Sequence, residues 1–184
     1  MASNRILLPP NPLAEASVKW RKENAGTFKG MFSDGPDSVL SLVSDVGGCR
    51  FDGSESIKDF SEMFKGRKEL SAAPLFDTGK GEDFSRMFAG CAKLKEVPAY
   101  DLKNAKSLSG MVEGCDSLIG FRCKNISCNL DLSHCPKLGK EALAEVISNL
   151  KESEGNVLRL GEDNLKKLSQ EDIDKAREKG WALC

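Results

Sequence analysis

A period of 24 residues runs through the middle of this chain and restricts what it can fold into more than any other feature. Apolar residues and glycines recur at this step in three successive units. The recurring positions are Phe60/Phe84/Leu108, Met63/Met87/Met111, Gly66/Gly90/Gly114 and Leu70/Leu94/Leu118. A unit of this length is too short to bury an apolar face alone, so successive units must stack. The period therefore predicts a solenoid in which each recurring apolar residue packs on its counterpart one unit away.

Flanking stretches extend the array in both directions. Upstream, Phe28, Met31 and Phe32 repeat the start of the unit 32 residues earlier, which predicts a first unit over 28–59 with a longer loop. Downstream, a second register of 28 residues links two pairs of leucines. These pairs are Leu130/Leu158 and Leu132/Leu160.

Two helices are predicted in the downstream part. One face of the segment after Leu138 carries apolar residues at helical spacing. These residues are Leu143, Val146, Ile147 and Leu150. The last segment begins with Ser169 as a predicted N-cap, with Asp172 three residues on, and Gly180 is placed to end the helix. Trp181 would then fold back over the last unit.

The composition excludes several functional classes. Lysine and arginine number 27 against 28 aspartates and glutamates, so a protein built to neutralise nucleic-acid phosphates is not expected. A single histidine removes most metal sites and most acid–base chemistry. No run approaches the ~18 apolar residues of a membrane span, and the first residues lack the apolar stretch of a secretory signal. We therefore expect no nucleic-acid partner, no membrane insertion, no cofactor and no signal peptide in this chain.

The seven cysteines include no CxxC pair, and only Cys135 has a histidine, His134, beside it. This spacing does not favour zinc. A chain of this length can bury a core of its own, which argues against a disulfide framework. The cysteines are therefore predicted to be small buried apolar residues of a reduced protein.

The other side chains that could take part in catalysis are better explained by structural roles. Asp77 and Asp101 occupy the same place in successive units, which favours capping of a turn over a catalytic carboxylate pair. His134 and Cys135 are adjacent, and in a strand they would point to opposite faces. No catalytic residue and no metal ligand is predicted, and the protein is not expected to be an enzyme. One group of basic residues has two possible explanations: a solvent-exposed face, or a binding site for an anionic partner. Its members are Lys93, Lys95, Lys103 and Lys106, beside Arg122 and Lys124.

The repeat carries a family resemblance. The segment MFAGCAKLKEVPAYD and its degraded copy MFKGRKELSAAPLFD resemble the BspA-type leucine-rich repeat of bacterial surface proteins. The stretches LDLSHCPKLGKEALAEVISNL and LKKLSQEDIDKAREKGWAL are similar to the C-terminal end of such arrays. Members of this family are mostly noncatalytic. The resemblance implies adhesion and binding, including on phage-derived particles.

These patterns together predict an α/β fold. It is a short leucine-rich-repeat solenoid over 28–184, with short parallel strands on one face, turns or helices on the other, and a helical C-terminal end. The 24-residue repeats span about 60–131 and the 28-residue register about 130–184. Residues 1–27 do not match the repeat. They are predicted to form an N-terminal arm or cap, which covers the first unit or docks onto another chain.

The predicted binding face consists of side chains aligned along successive strands: Phe76, Tyr100, Arg122, Lys124 and Arg159. An exposed Tyr100 beside Arg122 would suit a carbohydrate or a protein loop. The alternative for Phe76 and Tyr100 is a further ladder of core residues.

The function predicted from these features is that of a non-enzymatic recognition module, whose repeat surface binds a protein or a cell-surface carbohydrate. The alternative is a structural component of a phage particle, in its tail, fibre or capsid, that docks on other virion subunits through residues 1–27. The corresponding locations are a virion or a cell surface.

Overall fold

The computed structural model describes residues 27–33 and 56–184. Within these ranges the chain is a mixed α/β structure with short parallel strands. The strands are β1 (Glu96–Val97), β2 (Gly120–Phe121), β3 (Leu130–Asp131), β4 (Val157–Arg159) and β5 (Ala182–Leu183). The helices are α1 (Lys140–Ser148), α2 (Gly161–Leu165) and α3 (Gln170–Glu178). The predicted arm, apart from Thr27, and the long loop of the first unit lie outside the described residues.

The strands form two small parallel sheets. In the first, β1 pairs with β2, and in the second the order is β3-β4-β5. The register pairs Leu130 with Leu158, and Leu158 in turn with Leu183. Pro98 follows β1 directly and has no N–H to donate, so it cannot extend that strand as a donor.

Four stacked turns form another side of the molecule, and we number them first to fourth: residues 28–32, 60–64, 84–88 and 108–112. In each of the first three turns, N–H groups at alternate residues donate to carbonyl oxygens of the next turn. For example, the N–H groups of Arg86 and Phe88 donate to Ser109 and Met111, both at 2.9 Å. The third residue of every turn has a φ between +54° and +63°: Gly30, Glu62, Arg86 and Gly110.

Aromatic rings of successive turns pack on one another in the core. Phe60 and Phe84 stack with ring centroids 5.2 Å apart, and Phe64 and Phe88 stack at 5.4 Å. Phe32 stacks on Phe64 at 5.2 Å, across the 32-residue step of the first unit. The predicted packing of recurring residues on their counterparts is therefore confirmed for these rings.

The stack of turns stops at the fourth because the following unit is shorter. Cys91 and Cys115 are 24 residues apart, but Cys115 and Cys135 are only 20 apart. The two later cysteines hold equivalent positions, because Cys115 donates to the Phe88 carbonyl and Cys135 to the Val112 carbonyl. The four missing residues therefore precede Cys135, where the next turn would lie.

The C-terminal helices close the array. Helix α1 buries Leu143, Val146 and Ile147, as its spacing predicts. The last carbonyls of a helix have no donor within the helix itself. The Nζ of Lys179 donates to the carbonyls of Ile147 and Ser148, at 3.0 and 2.7 Å.

The predicted limits of the last helix are also confirmed. Ser169 caps α3 in a capping box with Asp172. Gly180, with a φ of +78°, follows the helix and turns the chain back. Trp181 is then buried, and its Nε1 donates to the Lys151 carbonyl at 2.7 Å.

Candidate functional site

The two aromatic residues of the predicted binding face belong to the core. Tyr100 is 0% exposed and Phe76 is 4% exposed, and their rings lie 6.0 Å apart. The Tyr100 hydroxyl donates to the Pro74 carbonyl at 2.5 Å, and burial raises the pKa of that phenol well above its usual value. The expectation of an exposed Tyr100 is therefore wrong. The ring fills space between units, beside Phe88, and its single polar atom finds a partner inside the protein.

The three basic residues of that face are exposed but are not all on one sheet. Arg122 follows β2 and pairs with Glu96 at 2.8 Å. Lys124 lies two residues on, in a bridge with Asp101. Arg159 ends β4, in the other sheet, and its side chain has no ion pair or hydrogen bond among the described residues. The binding role of these three side chains remains a prediction.

Most lysines of the basic group predicted from the sequence are paired with acidic residues. Lys93 pairs with Glu69 one unit earlier at 2.5 Å, and Lys103 pairs with Asp101 at 3.2 Å. Lys106 pairs with Glu82 at 2.6 Å. These pairs reduce the net positive charge that this surface offers to an anionic partner.

Glu82 lies between two lysines, Lys58 at 2.8 Å and Lys106 at 2.6 Å. Hydrogen bonds from Lys106 and Lys58 lower the pKa of this carboxyl to about 2. A carboxyl with a lowered pKa stabilises the folded state above its unfolded pKa, and this stabilisation is lost as the pH falls.

We expect Glu82→Gln to reduce the dependence of the free energy of unfolding on pH between about 4.5 and 2. Urea denaturation across this range measures the effect. Glu154→Gln is the matched control, since Glu154 is exposed and has no ion pair in the described part of the chain. Equal pH dependence in wild type and Glu82→Gln would contradict the prediction.

The two aspartates considered as a catalytic pair each accept a hydrogen bond that stabilises a turn. Asp77 accepts from the N–H of Gly79 at 3.1 Å, and Asp101 accepts from the N–H of Lys103 at 3.2 Å. Burial acts to raise the pKa of Asp101, but bonds from the Asn125 side chain and from the N–H and Nζ of Lys103 lower it overall. Turn capping, as predicted, accounts for both carboxylates.

The described cysteines are free thiols. Cys91, Cys115 and Cys135 each donate a thiol proton to a carbonyl of the preceding unit, at 3.1, 3.2 and 3.7 Å. Burial raises the pKa of each of these thiols to about 12. They are therefore protonated at neutral pH and are structural groups, while His134, beside Cys135, is exposed. Cys49 lies outside the described residues.

The rate of alkylation should differ between these cysteines, because they differ in exposure to solvent. With iodoacetamide at pH 8, we expect Cys184 to react in the folded protein, whereas Cys91 and Cys115 react only after unfolding. Peptide mass spectrometry measures the labelling at each site, and the same reaction in urea is the control. Labelling of Cys91 in the native protein as fast as that of Cys184 would contradict the structure.

A groove opens where the stack of turns stops, and we call it the end groove. It consists of two adjoining cavities of about 520 and 210 Å³, which share Ser109, Gly110 and Asp131. Its walls are formed by 106–110, 128–131, 156, 157 and 159, with Arg86, Glu113 and His134 at one end. The volume of the larger cavity lies in the range typical of ligand sites.

The shorter unit leaves two backbone donors without acceptors; Gly110 lines the groove, whereas Val112 is buried and lies outside its walls. The N–H groups of Gly110 and Val112 correspond to those of Arg86 and Phe88 in the preceding turn, but within 27–33 and 56–184 no acceptor bonds them. The N–H of Leu108 faces the half-buried thiol of Cys128. Burial raises the pKa of that thiol to about 11, against the opposing effect of the Leu108 N–H.

The charges of the groove differ along its length. Arg159 lies on one wall with no partner among the described residues, while Lys106 beside it is bound to Glu82. The Oδ1 of Asp131 already accepts from the N–H and the hydroxyl of Ser133, at 3.0 and 2.6 Å. Asp131 and Arg159 are paired residues of β3 and β4, so a carboxylate lies beside the arginine in this wall.

Only Arg159 of the predicted face lies in this groove. The signal that could have located the groove in the sequence is the step of 20 residues from Cys115 to Cys135, against 24 from Cys91 to Cys115. That shortened step marks the place where one turn has no counterpart.

No group of three or more histidine, cysteine, aspartate or glutamate side chains in the described ranges is arranged to hold a metal ion. Nor does any helix in them combine the length and the apolar character that crossing a bilayer requires.

Comparison with known proteins places the chain in a family. No curated protein and no solved structure matches it. Residues 15–125 match the family model described as "Mycoplasma protein of unknown function, DUF285", and the match is consistent with a BspA-like repeat protein. It spans more than half of the 184 residues, including the second, third and fourth turns. The chain therefore belongs to the DUF285 family of Mycoplasma proteins of unknown function.

Proposed function

We propose that this protein is a non-enzymatic recognition module, built as a short leucine-rich-repeat solenoid, that binds a partner molecule in the end groove. The observation that carries the proposal is the groove itself, where a cavity of about 520 Å³ is lined by the backbone donor of Gly110 and by the side chain of Arg159, neither of which has a partner among the described residues.

The chemistry of the other candidate groups supports binding rather than catalysis. The aspartates considered as a pair hold turns, and the buried thiols have a raised pKa and donate to carbonyls. Lys124 offers a further exposed positive charge on the side of β2, where Arg122 is paired with Glu96.

A binding screen tests this function. Fluorescently labelled protein is applied to an array of peptides and an array of glycans, in parallel with Arg159→Glu and with Arg177→Glu. Arg177 is the matched control, because it is an exposed arginine on α3, outside the groove, and pairs with Asp174. We expect ligands that bind the wild type and Arg177→Glu but not Arg159→Glu.

Two outcomes would overturn the proposal. One is the lack of any ligand on either array for a protein shown to be folded by circular dichroism. The other is a set of ligands bound equally by all three proteins, which would move recognition away from the groove. If those ligands were instead lost on substitution of Arg122 and Lys124, the surface beside β2 would be the site.

A further inference from the structure

Two asparagines in the walls of the end groove are held by the backbone at one end of their side-chain amides. The Oδ1 of Asn129 accepts from the N–H of Val157 at 2.8 Å, and the Nδ2 of Asn156 donates to the Ser127 carbonyl at 2.9 Å. The other end of each amide has no partner among the described residues. The Nδ2 of Asn129 is therefore a spare donor and the Oδ1 of Asn156 a spare acceptor, and both amides are oriented before a ligand binds.

A pair of opposite charges lies in the same wall without forming an ion pair. Asp131 and Arg159 are paired residues of β3 and β4, so their side chains lie on the same face of the sheet, and both line the larger cavity. In the described part of the chain the guanidinium has no partner, and only the Oδ1 of Asp131 is bonded, to Ser133. One carboxylate oxygen and the guanidinium therefore both have hydrogen-bonding capacity left for a third group.

The adjacent opposite charges favour a neutral ligand over an ionised one. An anionic group bound to Arg159 would lie beside the carboxylate of Asp131, and a cationic group bound to Asp131 would lie beside the guanidinium. At the other end of the groove, Arg86 and Glu113 also combine opposite signs. A neutral ligand that both donates and accepts hydrogen bonds can satisfy both members of such a pair.

Sugar hydroxyls have this property, because each hydroxyl both donates and accepts hydrogen bonds. Two adjacent hydroxyls of one ring can accept from a guanidinium and donate to a carboxylate at the same time. Peptide groups also donate and accept, but peptide recognition depends in addition on pockets for side chains. The larger apolar residues of the described walls, Leu108 and Leu130, are buried. The half-buried Cys128 and Val157 offer apolar surface to the C–H groups of a sugar ring.

We propose that the end groove binds a short neutral oligosaccharide, in which adjacent hydroxyls bridge Asp131 and Arg159 and further hydroxyls bond to the side-chain amides of Asn129 and Asn156. This inference rests on the proposed function and names the ligand class for the same site.

Nuclear magnetic resonance of the ¹⁵N-labelled full chain tests the ligand class, because it detects the side-chain NH₂ groups of Asn129 and Asn156 and the N–H of Gly110 separately. The neutral probes are maltotetraose, mannotetraose, galactotetraose and tetra-N-acetylchitotetraose. The comparison probes are tetragalacturonate, which is an acidic sugar, and the peptide acetyl-(Gln-Ala)₄-amide. We expect at least one neutral oligosaccharide to shift these three sets of signals, and the comparison probes to bind more weakly.

Two substitutions exchange a spare group and keep the bond that orients it. In Asn129→Asp the Oδ1 still accepts from Val157, but the spare donor becomes an acceptor. In Asp131→Asn the Oδ1 still accepts from Ser133, but the spare acceptor becomes a donor. We expect each substitution to weaken binding of the neutral oligosaccharide about threefold or more. Asn104→Asp is the matched control, because Asn104 is exposed and lies outside the groove, and it should leave the affinity unchanged.

Two further measurements test the role of the charge pair. Loss of a charge-assisted hydrogen bond predicts an affinity about tenfold lower in Arg159→Gln, with no loss in the control Arg177→Gln. Asp131→Asn should at the same time strengthen the binding of tetragalacturonate, because it removes the carboxylate that lies beside Arg159.

Each contrary outcome overturns the inference. If no neutral oligosaccharide shifts these signals, the groove does not bind such sugars. Tighter binding of tetragalacturonate or of the peptide than of every neutral probe would assign the groove to an acidic sugar or to a peptide. Unchanged affinity in Asn129→Asp, Asp131→Asn and Arg159→Gln would place the sugar elsewhere. Because the array screen also includes acidic glycans and unrelated peptides, a ligand of another class found there leaves the recognition function standing, and the two failures are distinguishable.

Discussion

Phe88→Ala is expected to lower the free energy of unfolding by about 3–5 kcal/mol, the loss typical of a buried phenylalanine truncated to alanine. The ring is 0% exposed and lies between two others, with centroids 5.4 Å from Phe64 and 6.4 Å from Tyr100. Its removal leaves a cavity and takes a stacking partner from both neighbours. Urea denaturation followed by circular dichroism measures the change.

Ile119→Ala is the control for this experiment. Ile119 is also a large apolar residue, but half of its surface (50%) is exposed to solvent. Its truncation should change stability by no more than about 0.5 kcal/mol. A loss below about 1 kcal/mol in Phe88→Ala, or equal losses in the two variants, would mean that the stacked rings do not form the core.

Gly180→Ala is expected to lower the free energy of unfolding by about 2–4 kcal/mol, because two effects act together. Gly180 has a φ of +78°, a conformation that residues with a side chain rarely adopt. In addition, a Cβ at this position would lie 1.9 Å from the carbonyl oxygen of Ser153, which is backbone and cannot rotate away. The chain between α3 and the buried Trp181 must then shift.

Gly66→Ala separates the two effects, because Gly66 has nearly the same φ, +77°, but no atom lies within 4 Å of the point that a Cβ would occupy there. The free energy of unfolding of Gly66→Ala should fall only by the cost of the backbone conformation, about 1–2 kcal/mol. The difference between the two variants in urea denaturation gives the cost of the contact with Ser153. Equal losses would show that this contact is relieved without cost.

The repeated core could be predicted from the sequence because burial and spacing are local properties of a periodic chain. The rings of Phe60 and Phe84 stack as their 24-residue separation requires, and the cap at Ser169 follows from a short local pattern. The burial of Tyr100 was harder to predict from the sequence. Its hydroxyl makes it suitable for a surface, and only the carbonyl of Pro74, 26 residues away, satisfies it inside the protein.

The end groove could not be predicted from residue types, because it arises from residues that are missing. Its basic residues Lys106 and Arg159 are noticed in the sequence, but nothing there brings them together, and the backbone N–H of Gly110 is a donor that every residue but proline possesses. What distinguishes Gly110 and Val112 is that the neighbouring turn is missing, which becomes visible only when the units are stacked. Arg159 was predicted for its place in a strand and not for the groove.

The identical hydrogen-bonding faces of the second and third turns also have a consequence for how this gene can change. A duplicated segment 84–107 would present to its neighbours the same carbonyls and the same aromatic rings that the original presents. Unequal recombination could therefore add or remove whole segments, because each new contact between turns would be the same as one already present. The unpaired donors would stay at the last turn. Proteins of different length built in this way would keep the same terminal groove at a different distance from the N-terminus.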